Sequence, residues 1–428
     1  MVRYASSINI SIPNSLHLQH TSFSLQGPLM VVMLSFFYIL FEPKTASAAT
    51  FDVTSYGAIG DGNTYDTEAF VKAWGDLCGD TSADPTLIIP SGKTFLIQCV
   101  SFVGPCKSSS VHIQLLGDIT APKTLDGWKG CDTKGYLIYF ALVQGLIVDG
   151  PGQIDGQGSI WWPGGGEIKT FEPNGPSCDC PSMLRFEKCD GLQLRGTRHI
   201  NSPKSHVSLT GCKGADIGSL HISAPKYSPN TDGIGISWSL HVNIHDSVIQ
   251  SGDDCVGIGG GVYDINVTSV SCGPGHGISI GSLGKNGTYT TVEKVLVRNC
   301  NFTETQNGAR IKTVPYGKGY ARSIVFEDIH LTDVNNPIII DQHYCTNMNN
   351  EDCPAPPNAS SVHVSDVTYR NIHGSSASKQ AIAFNCVGRF NCTGIITNEV
   401  EITGEDVSAY CHNVEGDFIQ TTPQITCN

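Results

Sequence analysis

An all-β fold, a single-stranded right-handed parallel β-helix with one N-terminal capping helix, is what this sequence predicts. Three observations carry that expectation. Apolar-x-apolar triplets recur at Leu192/Leu194, Ala215/Ile217, Val242/Ile244, Ile265/Val267, Val295/Val297, Ile324/Phe326 and Val362/Val364, mostly in steps of roughly 23–30 residues, a period typical of solenoids. The stretches between them hold Gly, Asn, Asp and Ser, residues that turn corners. No helical pattern of ten to fifteen residues separates the triplets, which argues against a doubly wound α/β sheet. Each triplet is a short strand with one face inward, and stacked coils bury what a single coil cannot.

The elements follow in order. Leu29 to Phe41 is an unbroken apolar run of 13 residues, followed by Ala46-Ser47-Ala48. A membrane span needs about 20 apolar residues, so the run reads as a signal-peptide core with a small-x-small cleavage pattern. Residues 1–48 are therefore expected to be an N-terminal extension and signal peptide, and residues 49–428 the β-helical domain. Asp66 can cap a helix whose stripe is Ala69, Phe70, Ala73, Trp74 and Leu77, at the spacing of one helical face. That helix is expected to cover the open end of the solenoid. Val111/Ile113 and Leu146/Val148 are earlier members of the strand repeat. The segment from Tyr344 to Pro357, rich in Cys, Asn and Pro, interrupts it as a loop insertion.

Seventeen cysteines, all after residue 70, suit an oxidising compartment, and their odd number leaves at least one unpaired in the chain. Cys189 and Cys212 occupy matching positions one coil apart, and Cys272 and Cys300 look alike; buried thiols of this kind read as an interior stack. Cys345–Cys353, Cys386–Cys392 and Cys411–Cys427 are the expected disulfides. Asn266, Asn286, Asn301, Asn358 and Asn391 begin Asn-x-Ser/Thr acceptors, expected on surface turns. The net charge is −13, or −14 once Arg3, Glu42 and Lys44 leave with residues 1–48. With no basic patch interleaved with aromatics, nucleic acid is not a partner. A polyanionic substrate would need a local cationic cluster, since the net charge opposes it.

Four motifs carry the chemistry: Asn230-Thr231-Asp232-Gly233, Gly252-Asp253-Asp254-Cys255, Gly275-His276-Gly277 and Arg310-Ile311-Lys312. Taken singly, each has a plain reading. Asn, Asp and Gly make turns, and an Asp pair is often a solvated loop or half a calcium site. His276 between glycines can be a turn histidine, and Arg310 with Lys312 a solvated strand edge. Their spacing changes this. Asp232 to Asp253 is 21 residues and Asp254 to His276 is 22, close to one coil each. Residues one coil apart share a face at about 5 Å per step. The three carboxylates and the imidazole then form one row, with the two cations farther along it. Crowded carboxylates cannot all ionise, so one keeps its proton and can act as an acid while another draws a proton from water. Those are the two roles glycoside hydrolysis requires, and an arginine and a lysine can hold a substrate carboxylate. An acidic pH optimum follows, because the acid must stay protonated while its partner does not.

In this order and spacing the four motifs resemble the polygalacturonases, glycoside hydrolase family 28. So do Phe51-Asp52-Val53, Tyr56-Gly57-Ala58, Gly60-Asp61-Gly62, Gly152-Gln153-Ile154-Asp155-Gly156 before Trp161-Trp162, and Asn201-Ser202-Pro203. The resemblance covers residues 51–428 and is of the plant type. It implies a secreted, cell-wall enzyme that hydrolyses α-1,4-galacturonan (pectin) with inversion of configuration. It implies Asp253 as general acid, Asp232 and Asp254 as the pair that activates water, and His276 as the residue that tunes their protonation. Arg310 and Lys312 resemble the binders of the substrate carboxylate, Tyr344 lines the sugar subsite, and Asn230 positions neighbours or substrate. No cofactor and no metal is needed, the protein is expected to be a monomer, and the mature form is not expected in a membrane. Two alternatives remain at this stage: a calcium-dependent pectate lyase using the clustered Asp residues for metal, and a non-catalytic wall-binding β-helix. Whether such an enzyme cuts within chains or trims their ends is left open.

Overall fold

The computed structural model describes residues 49–131, 135–166, 180–345, 361–388 and 392–428. The expected signal segment, the Cys345–Cys353 pair, most of the Tyr344–Pro357 insertion, and Asn358 and Asn391 lie outside them wholly or in part. The unit Ala46–Asn428 is a parallel β-helix. One sheet has 11 parallel strands, and a second, folded sheet has 21. Each coil sends one strand to the smaller sheet and one or two to the larger.

The predicted triplets form one interior ladder. Ile113 pairs with Val148, Val148 with Leu194, Leu194 with Ile217, Ile217 with Ile244, Ile244 with Val267, Val267 with Val297 and Val297 with Phe326. All are buried. The ladder then departs from expectation: Phe326 pairs with Tyr369, and Val364 lies opposite Ala321. Val362/Val364 is apolar and buried, but it belongs one slot earlier on its strand. The column runs on through Thr397 to Phe418, and Phe384 from the smaller sheet fills in between, so that Phe326, Tyr369, Phe384 and Phe418 stack at 5.5–6.2 Å between centroids.

A corner recurs two residues after each ladder position. Gly196, Ser219, Asp246, Ser269, Asn299, Asp328 and Asn371 all have positive φ. A left-handed residue there bends the chain between two faces of the larger sheet, and Gly, Asn and Asp tolerate that conformation best. Side chains join successive corners, as where Asn371 donates to Asp328 (2.7 Å) and Asn299 to Ser269 (3.0 Å). Toward the C-terminus the paired short strands fuse into long ones, Tyr289–Thr303, Lys318–Val334 and His363–Ser376.

The helix Thr67–Gly79 buries the expected Ala69, Phe70, Ala73, Trp74 and Leu77. Phe70 meets Phe95, and Trp74 meets Phe102 and Phe140, so the helix packs on the first coils. Asp66 stands at the N-cap position but its side chain makes no capping bond. Its carboxylate instead accepts from the backbone of Ile59 (2.7 Å) and Gly60 (3.1 Å), closing the preceding turn.

Cys386–Cys392 and Cys411–Cys427 are bonded as expected, and the structure adds Cys78–Cys106 and Cys99–Cys131, which the sequence reading did not pair. Cys189, Cys212 and Cys300 are free and buried. Cys272 is not part of a free stack: it bonds Cys255. Register explains the difference, since Cys272 lies opposite Phe302, two residues beyond Cys300. Of the described acceptor asparagines, Asn286 is an exposed turn residue, whereas Asn266 and Asn301 sit within strands.

Candidate active site

The site is built on the outer face of the 11-stranded sheet. Ile234, Val256, Ile278 and Ala309 are in register on successive coils. Two residues before the first three come Asp232, Asp254 and His276, so Asp254 rather than Asp253 is the stacked partner of Asp232. The turns carrying them are tied by backbone bonds, Gly233 N–H to Asp254 O (2.9 Å), Cys255 N–H to Gly277 O (2.8 Å) and His276 N–H to Asp253 O (2.7 Å). Thr231 Oγ1 accepts from Gly252 N–H at 2.9 Å. The Cys255–Cys272 disulfide fixes the residue that follows Asp254.

Asp254 is buried and fully engaged. Its Oδ1 accepts from Arg310 Nη2 (2.5 Å) and Ser279 Oγ (2.8 Å), and its Oδ2 from Lys312 Nζ (2.9 Å). Ser279 in turn accepts from Arg310 Nε (2.8 Å). Arg310 and Lys312 are themselves buried. Their first contacts are thus to a carboxylate of the protein, where two cations hold one anion by charge-assisted hydrogen bonds. Lys312 also sits 5.3 Å from the ring centroid of Tyr344, which brings that tyrosine to the site.

Asp253 is held differently. Its Oδ1 caps the Asp254 N–H (2.8 Å) and meets His276 Nδ1 (3.1 Å), while Asn230 Nδ2 donates to Oδ2 (3.2 Å). Asn230 reaches it from a left-handed backbone, φ 56°. Burial pushes Asp253 up, but the His276 hydrogen bond and charge, with Lys312 and Arg310 behind them, outweigh it and hold the carboxyl below its ordinary value. Asp232 goes the other way: burial, then repulsion from Asp253 and Asp254, raises it well above the usual carboxylate range despite the pull of Lys312. Of these two carboxyls, then, Asp232 is the one whose surroundings favour the protonated form.

Three contributors were not legible beforehand. Ser279 links Asp254 to Arg310, and nothing in its sequence context marks it. Gly257 leaves the floor bare: a Cβ there would lie 3.5 Å from Asp232 Oδ2 and 3.8 Å from Asp254 Oδ2. His206 is buried, and its Nδ1 donates to the Asp232 carbonyl at 3.0 Å. Burial pushes His206 down to about 4, so it stays neutral and acts on the backbone of the turn that carries Asp232. Tyr263 lies elsewhere, against His241 and Lys294.

Among the described residues, Asp253, Asp254 and His276 bring ligand-type atoms within 4.8 Å of one another. Both oxygens of Asp254 already accept from Arg310 and Lys312. Fixed cations thus meet the charge that a divalent ion would neutralise there. No helix among the described residues is long and apolar enough to cross a membrane.

Residues 78–424 match the model of glycosyl hydrolases family 28. The chain is 42% identical over 397 residues to a probable polygalacturonase of Arabidopsis thaliana, covering 91% of this chain and 83% of that protein. It is 38% identical over 368 residues to polygalacturonase-2 of Solanum lycopersicum, covering 85% and 78% respectively. Among solved structures, the polygalacturonase of Erwinia carotovora matches with a TM-score of 0.67 at 23% identity, covering 88% of this chain and 98% of that one. The shared fold is what that last likeness shows.

Proposed function

The chain belongs to glycosyl hydrolases family 28, and from that membership we propose that it is a secreted polygalacturonase hydrolysing α-1,4-galacturonan with inversion. The observation that carries this reading is the row of Asp232, Asp253, Asp254 and His276, backed by Arg310 and Lys312 on one sheet face. Asp253 is the general acid; Asp232 with Asp254 orients and deprotonates the attacking water. His276 and Asn230 hold Asp253, Tyr344 packs on the sugar, and Arg310 with Lys312 turns toward its carboxylate.

The raised Asp232 is compatible with this assignment, because the cations that hold Asp253 down are ones a substrate carboxylate can engage. Burial by itself raises Asp253. A substrate carboxylate laid against Lys312 and Arg310 offsets their pull on Asp253. A carboxyl crowded by other carboxylates in a dry site then takes the proton.

The raised Asp232 also favours a second reading, in which Asp232 and Asp253 exchange roles. Leaving groups separate the two. An acid becomes dispensable when the departing group needs no proton, whereas a base does not. With a galacturonide bearing a dinitrophenolate leaving group, Asp253→Asn is expected to recover most of its lost rate and Asp232→Asn none. The opposite pattern assigns the acid to Asp232. Reducing-end release from polygalacturonate, with viscosity followed alongside, tests the activity itself and distinguishes internal cutting from end-trimming. Proton NMR taken during the first turnovers is expected to show the β-anomer, the product of inversion. A chelator is expected to leave the rate unchanged; unsaturated products absorbing in the ultraviolet would mean a lyase instead.

A further inference from the structure

Two motifs marked in the sequence take no part in the chemistry above: Gly152-Gln153-Ile154-Asp155-Gly156 before Trp161-Trp162, and Asn201-Ser202-Pro203. In the fold they meet. Gly156 N–H donates to the Ile200 carbonyl (2.9 Å), and Gly158 N–H to that of Asn201 (2.7 Å). A Cβ on Gly156 would stand 2.7 Å from the Asn201 carbonyl oxygen and 2.8 Å from Ser202 Cα, so glycine is what lets the two turns close. Trp162 Nε1 donates to the Pro203 carbonyl at 3.1 Å, and Ser202 Oγ to the Ser205 carbonyl at 2.9 Å. Ser202 and Pro203 are buried, and their turn lies one coil before the one that carries Asp232.

His206 closes that turn and bridges it to Asp232. Its backbone N–H and its Nδ1–H both donate to the Asp232 carbonyl, at 2.8 and 3.0 Å, which fills both lone pairs. Nε2 accepts from Ser202 N–H at 3.4 Å. A ring held between a carbonyl and an N–H has one neutral tautomer, here with the proton on Nδ1. Carbonyls of Ser223 and Thr231 face the same ring, and the side chain is fully buried. The turn of Asp232 is tied on its other side too. Thr231 Oγ1 accepts from Gly252 N–H, and Gly233 N–H donates to Asp254 O, both at 2.9 Å. Asp254 is aimed by bonds to its carboxylate, whereas Asp232 is aimed through its backbone.

We propose that His206 is a positioning residue for the hydrolytic reaction: from the preceding coil, it sets where the Asp232 carboxyl stands. This rests on the reading of the row as a galacturonan-hydrolysing site, and it holds whichever proton role Asp232 takes. His206 touches no reacting atom and acts through the carbonyl it holds. A displacement of about 1 Å in a reacting group can cost on the order of a hundredfold in rate. With the carbonyl released, the carboxyl swings toward water and away from Asp253 and Asp254. Burial and that crowding are what raise it, against the pull of Lys312. Its pKa then falls toward the ordinary carboxylate value.

The test is kcat, KM and the pH profile of kcat/KM on galacturonate oligomers, with thermal unfolding alongside, for wild type, His206→Leu, His206→Asn and His206→Gln. Asn puts an amide nitrogen where Nδ1 stands and keeps the donor to Asp232. Gln reaches the Nε2 position and keeps the contact with Ser202, and Leu keeps neither. His206→Leu is expected to lose about tenfold or more in kcat, with KM changed by less than about twofold. Its high-pH limb, which belongs to Asp232, should move to lower pH while the low-pH limb stays. His206→Asn should regain most of the rate and the limb, and His206→Gln little of either. A lower melting temperature with both limbs unmoved, or equal recovery by Asn and Gln, would mean that His206 only fills space, and would overturn the proposal. If His206→Leu does not fold, the comparison of Asn with Gln decides alone. A wild type that releases no reducing ends from any oligomer would overturn the activity, and the positioning role with it.

Discussion

Lys312 shows how much one buried residue carries here. It is a donor to Asp254, a neighbour of Tyr344 and part of the field acting on both Asp232 and Asp253. Lys312→Met keeps its volume and removes its charge, leaving Asp254 with Arg310 and the Ser279 hydroxyl. Breaking one arm of a buried ion cluster costs roughly 3–5 kcal/mol. We expect a lower melting temperature and a loss of activity larger than that of any exposed lysine variant, measured by thermal unfolding and reducing-end assay. The pH dependence of activity belongs to the same residues. Asp232 is raised and Asp253 lowered, so the singly protonated, active form is lost as pH rises through the first and as it falls through the second. A bell on the acidic side of neutrality is expected in kcat/KM, and a flat profile through neutrality would contradict the carboxylate assignment. At this scale the sequence was legible where residue types repeat at coil spacing. It was silent on Ser279 and His206, because a hydroxyl and an imidazole acquire their roles only from what faces them three-dimensionally.

At the scale of strands and helix, the ladder from Ile113 to Phe326 could be read as alternation, since each coil repeats the same pattern on the same face. Reading stopped at Val362/Val364 because an equally apolar pair sits ahead of the true slot, and the aligned residue is a tyrosine. Tyr369 is buried between Phe326 and Phe384, its hydroxyl has no hydrogen-bond partner among the described residues, and burial raises its pKa. A buried hydroxyl without a partner costs roughly 1–3 kcal/mol. Tyr369→Phe is therefore expected to raise stability in urea without altering activity; a fall would mean that the hydroxyl is satisfied in solution. The helix was the easiest element to foresee, as its five buried residues fall on one face. It starts after Asp66 as expected, but that carboxylate makes no capping bond because it takes two backbone donors in the preceding turn.

For the whole molecule, acid is a liability built into the interior. His199 and His206 are fully buried, and burial pushes them down to about 3 and about 4. The unfolded chain takes up those protons near pH 6.5 while the folded one refuses them, so each histidine lowers stability as pH falls from 6.5 toward 4. The slope is about 1.4 kcal/mol per pH unit for each. Asp232, raised in the fold, works in the opposite sense over part of that window and offsets about one histidine. Stability from urea unfolding is expected to decline between pH 6.5 and pH 4. His199→Leu should flatten the decline; an unchanged slope would place the titration elsewhere.

The free thiols of Cys189, Cys212 and Cys300 carry a consequence for recovery after heating. Burial pushes Cys189 up to about 12 and Cys300 to about 11, so inside the coil neither is a nucleophile. Once the coils come apart, the same sulfurs return to ordinary acidity and meet the liberated disulfides Cys255–Cys272 and Cys386–Cys392. Thiolate attack on a disulfide then scrambles the pairing. Inactivation by heat at neutral pH is accordingly one-way, set by how fast the chain opens rather than by how stable it is. Replacing the three thiols with alanine or serine, or cooling from an acidic melt, is the route to a chain that finds its way back.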